Sequence, residues 1–242
     1  MSNFEESSWN NEEFSENYLQ KADIYIVERR KMLDMISAFY IHFFKDSEKV
    51  CVLDLGCGDG VLSEELLKID DSICATLIDG SQTMLKGAQE RLNAYENVQF
   101  LEATFQEILR GSVELGNFDL CVSSLAIHHL TMEHKALLFH YLFNLLNNGG
   151  GFVNLDVVRP PSEEIEEWYC ALWKQWMQNM SDAFGLHDEN PDDIINRYKD
   201  PASMNKPDTL EAQLTALKEM GFQHVDCYYK NGIFAIFGGR KV

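Results

Sequence analysis

Apolar positions along this chain follow two periodic patterns. Seven short apolar runs predict strands, and the first five are mostly apolar, as strands buried on both faces of a parallel sheet are. The runs span residues 50–55, 74–79, 97–101, 118–123, 151–156, 222–229 and 232–238. Stretches with apolar residues at helical spacing separate them, which predicts an α/β, doubly wound sheet with crossover helices on both faces.

The ends of the predicted elements carry recognisable signals. Ser81 can cap the helix after the second strand, and a later helix follows Pro207-Asp208 and stops at Gly221. Only residues 230–232 separate the last two strands, which is too short for a parallel crossover. We therefore expect a seven-stranded sheet that is mostly parallel and ends in an antiparallel C-terminal hairpin.

The chain is expected to form one domain over residues 1–242, with two helical additions to the sheet. Residues 1–45 precede the first strand and predict one or two helices, and residues 160–206 follow the fifth strand. Residues 46–159 form the core, and residues 207–242 form the last helix and the hairpin.

Composition and charge limit the classes of partner. The 20 Lys and Arg residues stand against 39 Asp and Glu, a net charge of -19 that disfavours nucleic acid. No apolar run reaches the roughly 18 residues of a membrane span, and the acidic N-terminus lacks a signal-peptide pattern. We expect a cytoplasmic protein without membrane association. The six cysteines contain no Cys-x-x-Cys pair, so no metal site is expected.

The sequence VLDLGCGDG (52–60) places three alternating glycines after the first strand. Ligands of doubly wound sheets bind at the carboxyl ends of the strands, and glycine there lets a ligand approach the backbone. The second strand ends in Asp79, where a carboxylate can accept the hydroxyls of a ribose. Asp79 can also be a turn residue or a helix cap, because Gly80-Ser81 follow it. The loop and the acid together favour an adenosyl ligand.

With these motifs the chain resembles class I S-adenosylmethionine-dependent methyltransferases over nearly its whole length. The motifs that carry the resemblance are VLDLGCGDG (52–60), LIDGSQTMLKGAQERL (77–92), FLEATF (100–105), FDLCVSSLAIHHL (118–130) and LLNNGGGFVNLD (145–156). The resemblance implies a Rossmann-like sheet, S-adenosylmethionine as cofactor and S-adenosylhomocysteine as product. The segments 16–33 and 226–241 look like a subgroup related to carboxymethoxyuridine tRNA modification enzymes.

The resemblance also implies roles for residues around the cofactor. Asp54 would hold the methionine amino group or orient the loop, Asp79 would bind the ribose, and Glu102 would face the adenine. The other residues implied to contact the cofactor are Gly56, Cys57, Gly58, Gly80, Met84, Ala103, Thr104, Ser123 and Leu125. The third motif begins with Leu-Glu where Gly-Asp is common in the family, which leaves the adenine contact open.

Family members often form a lid from the N-terminal helix. Tyr18, Arg29 and Arg30 are the candidates that would contact the cofactor, and Tyr25 is a candidate for the substrate. One arginine would pair with the methionine carboxylate. The alternative for both arginines is a solvated helix face.

Chemistry beyond the cofactor rests on a few polar residues. His128 and His129 follow the fourth strand, and either can remove a proton from a methyl acceptor. Each could instead pack or cap the turn. Asp156, at the end of the fifth strand, is a candidate for substrate contact or a turn carboxylate.

The insert at 160–206 is expected to cover the substrate. Ser162 can cap a helix that carries three tryptophans, of which Trp168 and Trp173 are predicted to line an apolar pocket. Residues 187–198 (HDENPDDIINRY) predict a solvated loop or a mobile lid. The aromatic insert could also pack on a second subunit, so a homodimer is a further expectation.

The leading hypothesis is a methyltransferase that moves a methyl group to N, O or S of a small molecule by in-line displacement. A tRNA-modification enzyme that uses S-adenosylmethionine or a carboxylated derivative is the first alternative. A non-catalytic, cofactor-binding regulatory protein is the second. An NAD dehydrogenase is opposed by the glycine spacing and by the antiparallel end of the sheet.

Overall fold

The computed structural model describes residue 9, residues 11–200 and residues 203–242. The remaining parts of the predicted N-terminal segment 1–45 and of the predicted insert 160–206 lie outside the described residues. Within the described part of the chain, no helix is long and apolar enough to cross a membrane.

The centre of the molecule is one sheet of seven strands in the order β3-β2-β1-β4-β5-β7-β6. The strands are β1 (Cys51–Leu55), β2 (Cys74–Asp79), β3 (Val98–Glu102), β4 (Phe118–Ser124), β5 (Leu146–Val157), β6 (Gln223–Asn231) and β7 (Phe234–Arg240). β1 to β5 pair in parallel, and β7 runs antiparallel to both β5 and β6. The predicted doubly wound sheet with an antiparallel C-terminal hairpin is confirmed.

Helices cover both faces of the sheet. They are α1 (Glu12–Tyr25), α2 (Arg29–Phe43), α3 (Val61–Ile69), α4 (Gln82–Arg91), α5 (Phe105–Leu109), α6 (Met132–Leu145), α7 (Glu163–Phe184), α8 (Pro191–Lys199) and α9 (Leu210–Glu219). Buried apolar residues of α1 to α4 and α7 share one core cluster, and those of α5, α6 and α9 share the other. The sheet is therefore buried on both sides, which explains its mostly apolar parallel strands.

The fifth strand begins earlier than predicted. Leu146 already pairs with Phe118, and the register then shifts before Leu120 pairs with Gly151. Gly149 has a positive φ of 84°, and a Cβ at Gly150 would meet two backbone oxygens at 2.8 and 3.0 Å. The glycines therefore belong to an irregular start of the strand, and they do not form a separate turn before it.

The helix after Pro207-Asp208 is present as expected, and one expectation about a loop was wrong. The helix α9 is capped by Thr209, whose side chain accepts from the backbone of Ala212, while Asp208 pairs with the buried Lys135. The segment predicted to be a loop contains α8, which Asn190 caps. An Asn-Pro pair followed by two acids is a helix-start signal that the acidic composition concealed.

Candidate functional site

The glycine turn between β1 and α3 forms the floor of a cleft at the carboxyl edge of the sheet. Gly56, Gly58 and Gly60 have φ values of 63°, 55° and 75°, which other residues rarely adopt. A Cβ at Gly56 would lie 2.3 Å from the Cβ of Ala126, whereas a Cβ at Gly58 would meet nothing within 4 Å. Gly56 thus permits close packing, and Gly58 leaves open space where a ligand can approach the backbone.

Asp79 ties this turn to the end of β2. Its Oδ2 accepts from the Gly58 amide at 2.9 Å, and its Oδ1 accepts from the Ser81 amide at 2.8 Å. Burial raises the pKa of the carboxyl, while these amide hydrogen bonds oppose the rise. The side chain acts as a turn residue and also lines the cleft.

Asp54 lies beneath the turn and is almost completely buried. Its Oδ2 accepts from the Ser63 hydroxyl at 2.7 Å, while its Oδ1 is buried without a hydrogen-bond partner among the described residues. Burial raises its pKa from 3.8 to about 7. A buried acceptor with no donor fits a ligand that brings a cation, such as the amino group of S-adenosylmethionine.

The cleft contains most of the residues expected to contact the cofactor. The expected residues that line it are Tyr18, Arg29, Gly56, Cys57, Gly58, Asp79, Gly80, Met84, Ala103, Thr104 and Leu125. Asp54 does not itself line the cleft, because it is buried under the glycine turn. The open face of the turn and the carboxylate at the end of β2 fit the backbone-facing and ribose parts of S-adenosylmethionine, respectively. The cofactor was predicted from the same features.

Several expected cofactor residues lie elsewhere. Ser123 is buried and donates to the Leu55 carbonyl, so its neighbour Ser124 lines the cleft instead, because side chains alternate along a strand. Glu102 is exposed at the end of β3 and does not line the cleft. Arg30 also lies outside it, since its guanidinium pairs with Glu65 on the surface.

A second cavity of about 450 Å³ adjoins the cleft, and we call it the aromatic cavity. Trp9, Tyr18, Ile26, Leu125, His129 and Met204 line both spaces. The rings that line the aromatic cavity but not the cleft belong to Phe14, Tyr25, His128, Trp173, Tyr198 and Phe234. The aromatic faces suit a planar apolar molecule beside the cofactor cleft.

His128 and Asp156 form a buried pair at the wall of this cavity. The Nδ1 of His128 lies 2.5 Å from the Oδ1 of Asp156. The same carboxylate accepts from the Val157 amide at 2.9 Å and from the side chain of Asn154 at 3.3 Å. A carboxylate on Nδ1 fixes the imidazole with its proton there and leaves Nε2 as a proton acceptor.

His129 is held in a different state. Its Nε2 lies 3.0 Å from the Nε1 of Trp9, which can only donate, so this nitrogen must accept. Burial and the neighbouring His128 lower the pKa of His129 well below its usual value. His129 therefore stays neutral and anchors Trp9 across the two spaces, whereas His128 has the geometry of a base.

The acidic residue Glu189 fastens α1 to the segment before α8. Its carboxylate accepts from Asn17 and Tyr25, both at 2.7 Å, and Arg197 lies 3.4 Å away. Lys21 pairs with Asp188 and Glu189 in the same place. Burial opposes ionisation of Glu189, but the hydrogen bonds and the two cations outweigh it and lower its pKa. We call this cluster the Glu189 latch.

The tryptophans of α7 separate into different environments. Trp173 is buried, donates to the Tyr25 carbonyl at 2.7 Å and lines the aromatic cavity. Trp168 is 57% exposed and packs beside Tyr169, so its expected place in the pocket is wrong. Five residues of helix turn the side chain by about 140°, which separates the two rings.

Sequence reasoning missed Trp9, Phe14 and Glu189. Trp9 and Glu189 contact residues far along the chain, His129 and Tyr25, and Phe14 packs on Trp9. Among the residues that the structure describes, no group of three or more His, Cys, Asp or Glu side chains could hold a metal ion.

Comparisons with known proteins agree with this geometry. Residues 52–150 match the profile of the methyltransferase domain family. The carboxy-S-adenosyl-L-methionine synthase of Helicobacter pylori strain G27 is 24% identical over 214 residues, which cover 87% of this chain and 84% of that protein.

Solved structures share the fold across the sheet and its helices. An O-methyltransferase family protein from Burkholderia thailandensis has a TM-score of 0.67 at 14% identity, over 98% of this chain and 62% of that one. Human N-acetylserotonin methyltransferase, solved with S-adenosylmethionine, has a TM-score of 0.59 at 16% identity, over 96% and 57%. The chain thus spans about three fifths of the length of these solved proteins.

Proposed function

We propose that this chain, a class I S-adenosylmethionine-dependent methyltransferase, methylates an ionisable O–H or N–H group of a small planar molecule. The fold, the class and the cofactor are those supported by the family match and the related structures. The acceptor is the new element of the proposal. The observation that carries it is the His128–Asp156 pair in the wall of an aromatic cavity that adjoins the cofactor cleft.

The residues of the chain supply positioning and proton transfer. The cofactor supplies a methyl group on a sulfonium, which is a strong donor. The acceptor would lie against the aromatic rings with its O–H or N–H towards His128. As the acceptor atom bonds to the methyl carbon, the bond from that carbon to sulfur would break and S-adenosylhomocysteine would leave. The acceptor proton would pass to Nε2 of His128, and the Asp156 carboxylate would stabilise the resulting imidazolium.

The border between the two spaces is held by unusual backbone geometry. Leu125 lines both and has a positive φ of 56°, which costs a residue with a Cβ about 1–2 kcal/mol. Its amide donates to the Leu155 carbonyl at 2.8 Å, which helps to hold this conformation. A fixed border favours alignment of donor and acceptor, which accounts for much of the catalysis in displacement reactions.

A small molecule is favoured over tRNA as the acceptor by two observations. The net charge of -19 opposes a phosphate backbone. The proposed base is 8% exposed, and Trp9 and Tyr18 line both spaces at their junction. A nucleobase of a tRNA would have to be turned out of its strand to reach a site as enclosed as this one.

The test uses tritiated S-adenosylmethionine with a panel of phenols and aromatic amines, whose acceptor groups carry a proton near neutral pH. We expect His128→Gln to lower kcat by about 10²–10⁴-fold, as loss of a general base does, with an unchanged Kd for S-adenosylhomocysteine. His140→Gln, which alters an exposed histidine on α6, is the matched control and should keep full activity. Full turnover in His128→Gln with any acceptor on the panel would contradict the proposal.

A second candidate function is synthesis of a carboxylated cofactor. It is favoured by the relative named carboxy-S-adenosyl-L-methionine synthase, which aligns with 87% of this chain. Mass spectrometry of the small molecule that co-purifies with the protein separates the two. A ligand heavier than S-adenosylmethionine by one carbon dioxide would favour the synthase. S-adenosylmethionine or its demethylated product would favour the methyltransferase, and binding without turnover on any acceptor would favour a regulatory role.

A further inference from the structure

We infer that Asn154 is a positioning residue that acts on His128 through Asp156. The inference rests on the proposed function, because it assigns a role in orienting the base that the proposal requires. Asn154 was not among the candidate residues of the sequence, since it lies within a buried strand and its side chain contacts neither cavity.

The three side chains form a connected buried series. Asn154 and Asp156 are two positions apart on β5 and therefore share one face of the sheet. The Nδ2 of Asn154 donates to the Oδ2 of Asp156 at 3.3 Å, and the Oδ1 of Asp156 lies 2.5 Å from His128. An ionised carboxylate only accepts hydrogen bonds, so the amide must turn its nitrogen towards Asp156.

Packing does not explain an amide at this position. Asn154 is fully buried, and Phe152 on the same face of β5 belongs to an apolar core cluster. The Oδ1 of Asn154 is buried without a hydrogen-bond partner within the described ranges, and such an atom destabilises the folded state. An apolar side chain of similar size would remove that cost. Among the residues that the structure describes, the one side-chain hydrogen bond of Asn154 is the bond to Asp156.

That hydrogen bond has a consequence for the base. The Oδ1 of Asp156 receives the Val157 amide and His128, while Oδ2 receives Asn154. Each oxygen of the Asp156 carboxylate thus has its own hydrogen-bond donors. Rotation of the carboxylate about its Cβ–Cγ bond would break the hydrogen bonds to both oxygens. Asn154 thus keeps Oδ1 facing Nδ1 of His128, which keeps the proton on Nδ1 and the lone pair on Nε2.

The experiment measures the tautomer of His128 directly and needs no acceptor. Long-range ¹H–¹⁵N correlation spectra of ¹⁵N-histidine-labelled full-length protein are recorded at about pH 8, where an ordinary imidazole is neutral. The His128 signal is identified by its loss in His128→Gln. We expect the Nδ1–H tautomer in the wild type, and in Asn154→Leu we expect about half of the population to move to Nε2–H.

Two further variants separate the hydrogen bond from the volume of the side chain. In Asn154→Asp, two carboxyls about 3.3 Å apart cannot both ionise, so one proton bridges them and replaces the amide N–H; the wild-type tautomer should persist. Gln213→Leu removes another buried amide whose oxygen also has no partner among the described residues, and it should leave His128 unchanged. Thermal melts confirm that each variant is folded.

The outcomes distinguish failure of the inference from failure of the proposed function. Retention of Nδ1–H in Asn154→Leu overturns the role of Asn154 and leaves the His128–Asp156 pair standing. Loss of the tautomer in both Asn154 variants would assign the effect to packing and would also overturn it. Nε2–H in the wild type would contradict the base geometry itself, and with it the proposed function.

Discussion

The cofactor cleft and the aromatic cavity adjoin each other, but they are built in different ways. The cleft is made by backbone at the ends of β1, β2 and β4, where glycine φ values and amide hydrogen bonds to Asp79 fix its shape. The aromatic cavity is made by side chains from α1, α7 and α8 that close over the ends of β4, β5 and β7. The helical parts meet through contacts such as Asn17 with Glu189, 172 residues apart.

The two regions should therefore differ in rigidity, with the cleft fixed by the sheet and the aromatic cavity free to vary. The cleft inherits the register of a sheet whose strands are buried on both faces, so its geometry is part of the fold. The cavity depends on the Glu189 latch and on Trp173, and both join elements outside the sheet. Substitutions in the cleft should therefore change affinity for the cofactor, and those in the cavity should change catalysis, access and local stability.

The largest effect is expected for Asp156→Asn, which belongs to the cavity. The neutral amide lacks the charge that stabilises the His128 cation, and its NH2 group can donate to Nδ1 and select the wrong tautomer, so kcat should fall about 10²–10⁴-fold. The Kd of S-adenosylhomocysteine, measured by calorimetry, should stay within about twofold. A comparable loss of affinity for S-adenosylhomocysteine would show that the cavity and the cleft are coupled, and it would contradict their separate roles.

Trp173→Ala should have the next largest effect, on the free energy of unfolding. The ring is buried against Tyr198 and Phe234, and truncation of such residues costs about 3–5 kcal/mol. Trp168→Ala is the matched variant on the same helix and should change stability by less than about 0.5 kcal/mol, because that ring is exposed. Denaturant titrations measure both. Equal losses of free energy of unfolding in the two variants would mean that Trp168 stabilises the fold although its ring is exposed.

Asp54→Asn tests the cleft. Without the carboxylate, affinity for S-adenosylhomocysteine should fall about 10–100-fold, the value of a charge-assisted hydrogen bond. The pKa of Asp54 is raised to about 7 in the folded protein, so the folded state retains a proton that the unfolded state loses near 3.8. The stability of the wild type should therefore decrease as pH rises from about 4 to 7 through this group and should level off above that.

Asp54→Asn should lack this pH-dependent change in stability. At pH 8 and without ligand it should be more stable than the wild type. Binding below pH 7 should release a proton in the wild type only, which calorimetry in buffers of different ionisation enthalpy detects. Equal affinity in both proteins would remove Asp54 from the cofactor site.

Glu189→Gln should have the smallest effect. Loss of the charge weakens the hydrogen bonds from Tyr25 and Asn17 and should lower the local free energy of unfolding of α1 by about 1 kcal/mol. Hydrogen exchange in α1 should therefore be roughly fivefold faster. Exchange in β1 and β4 should not change, because the latch does not touch the sheet. Glu167→Gln, at an exposed position of α7, is the control. Unchanged exchange in α1 would show that the latch does not hold the helix.

The cleft was more accessible to sequence reasoning than the cavity. Residues such as Gly58 and Asp79 follow strands whose apolar pattern is clear, so their positions come from the order of the elements. Errors there were local: Ser123 faces the opposite side of β4 from Ser124, and alternation along one strand decides between them. The cavity gave an error because nothing in the local pattern distinguishes Trp168 from Trp173, and the same ambiguity between Arg29 and Arg30 gave an error in the cleft.

The sequence by itself determined a mostly parallel sheet with an antiparallel end, the turn that needs glycine, and the acids near the ends of β1 and β2, because these depend on local periodicity and backbone conformation. Only the tertiary structure decided which histidine meets Asp156, that Asn154 contacts the same carboxylate, and that Glu189 fastens α1. The contacts of Asp156 form once β4 and β5 pair and bring His128 beside β5, and the contact of Glu189 forms when the segment before α8 packs against α1. Their energies arise from packing and desolvation in the folded state, which no local pattern of residues encodes.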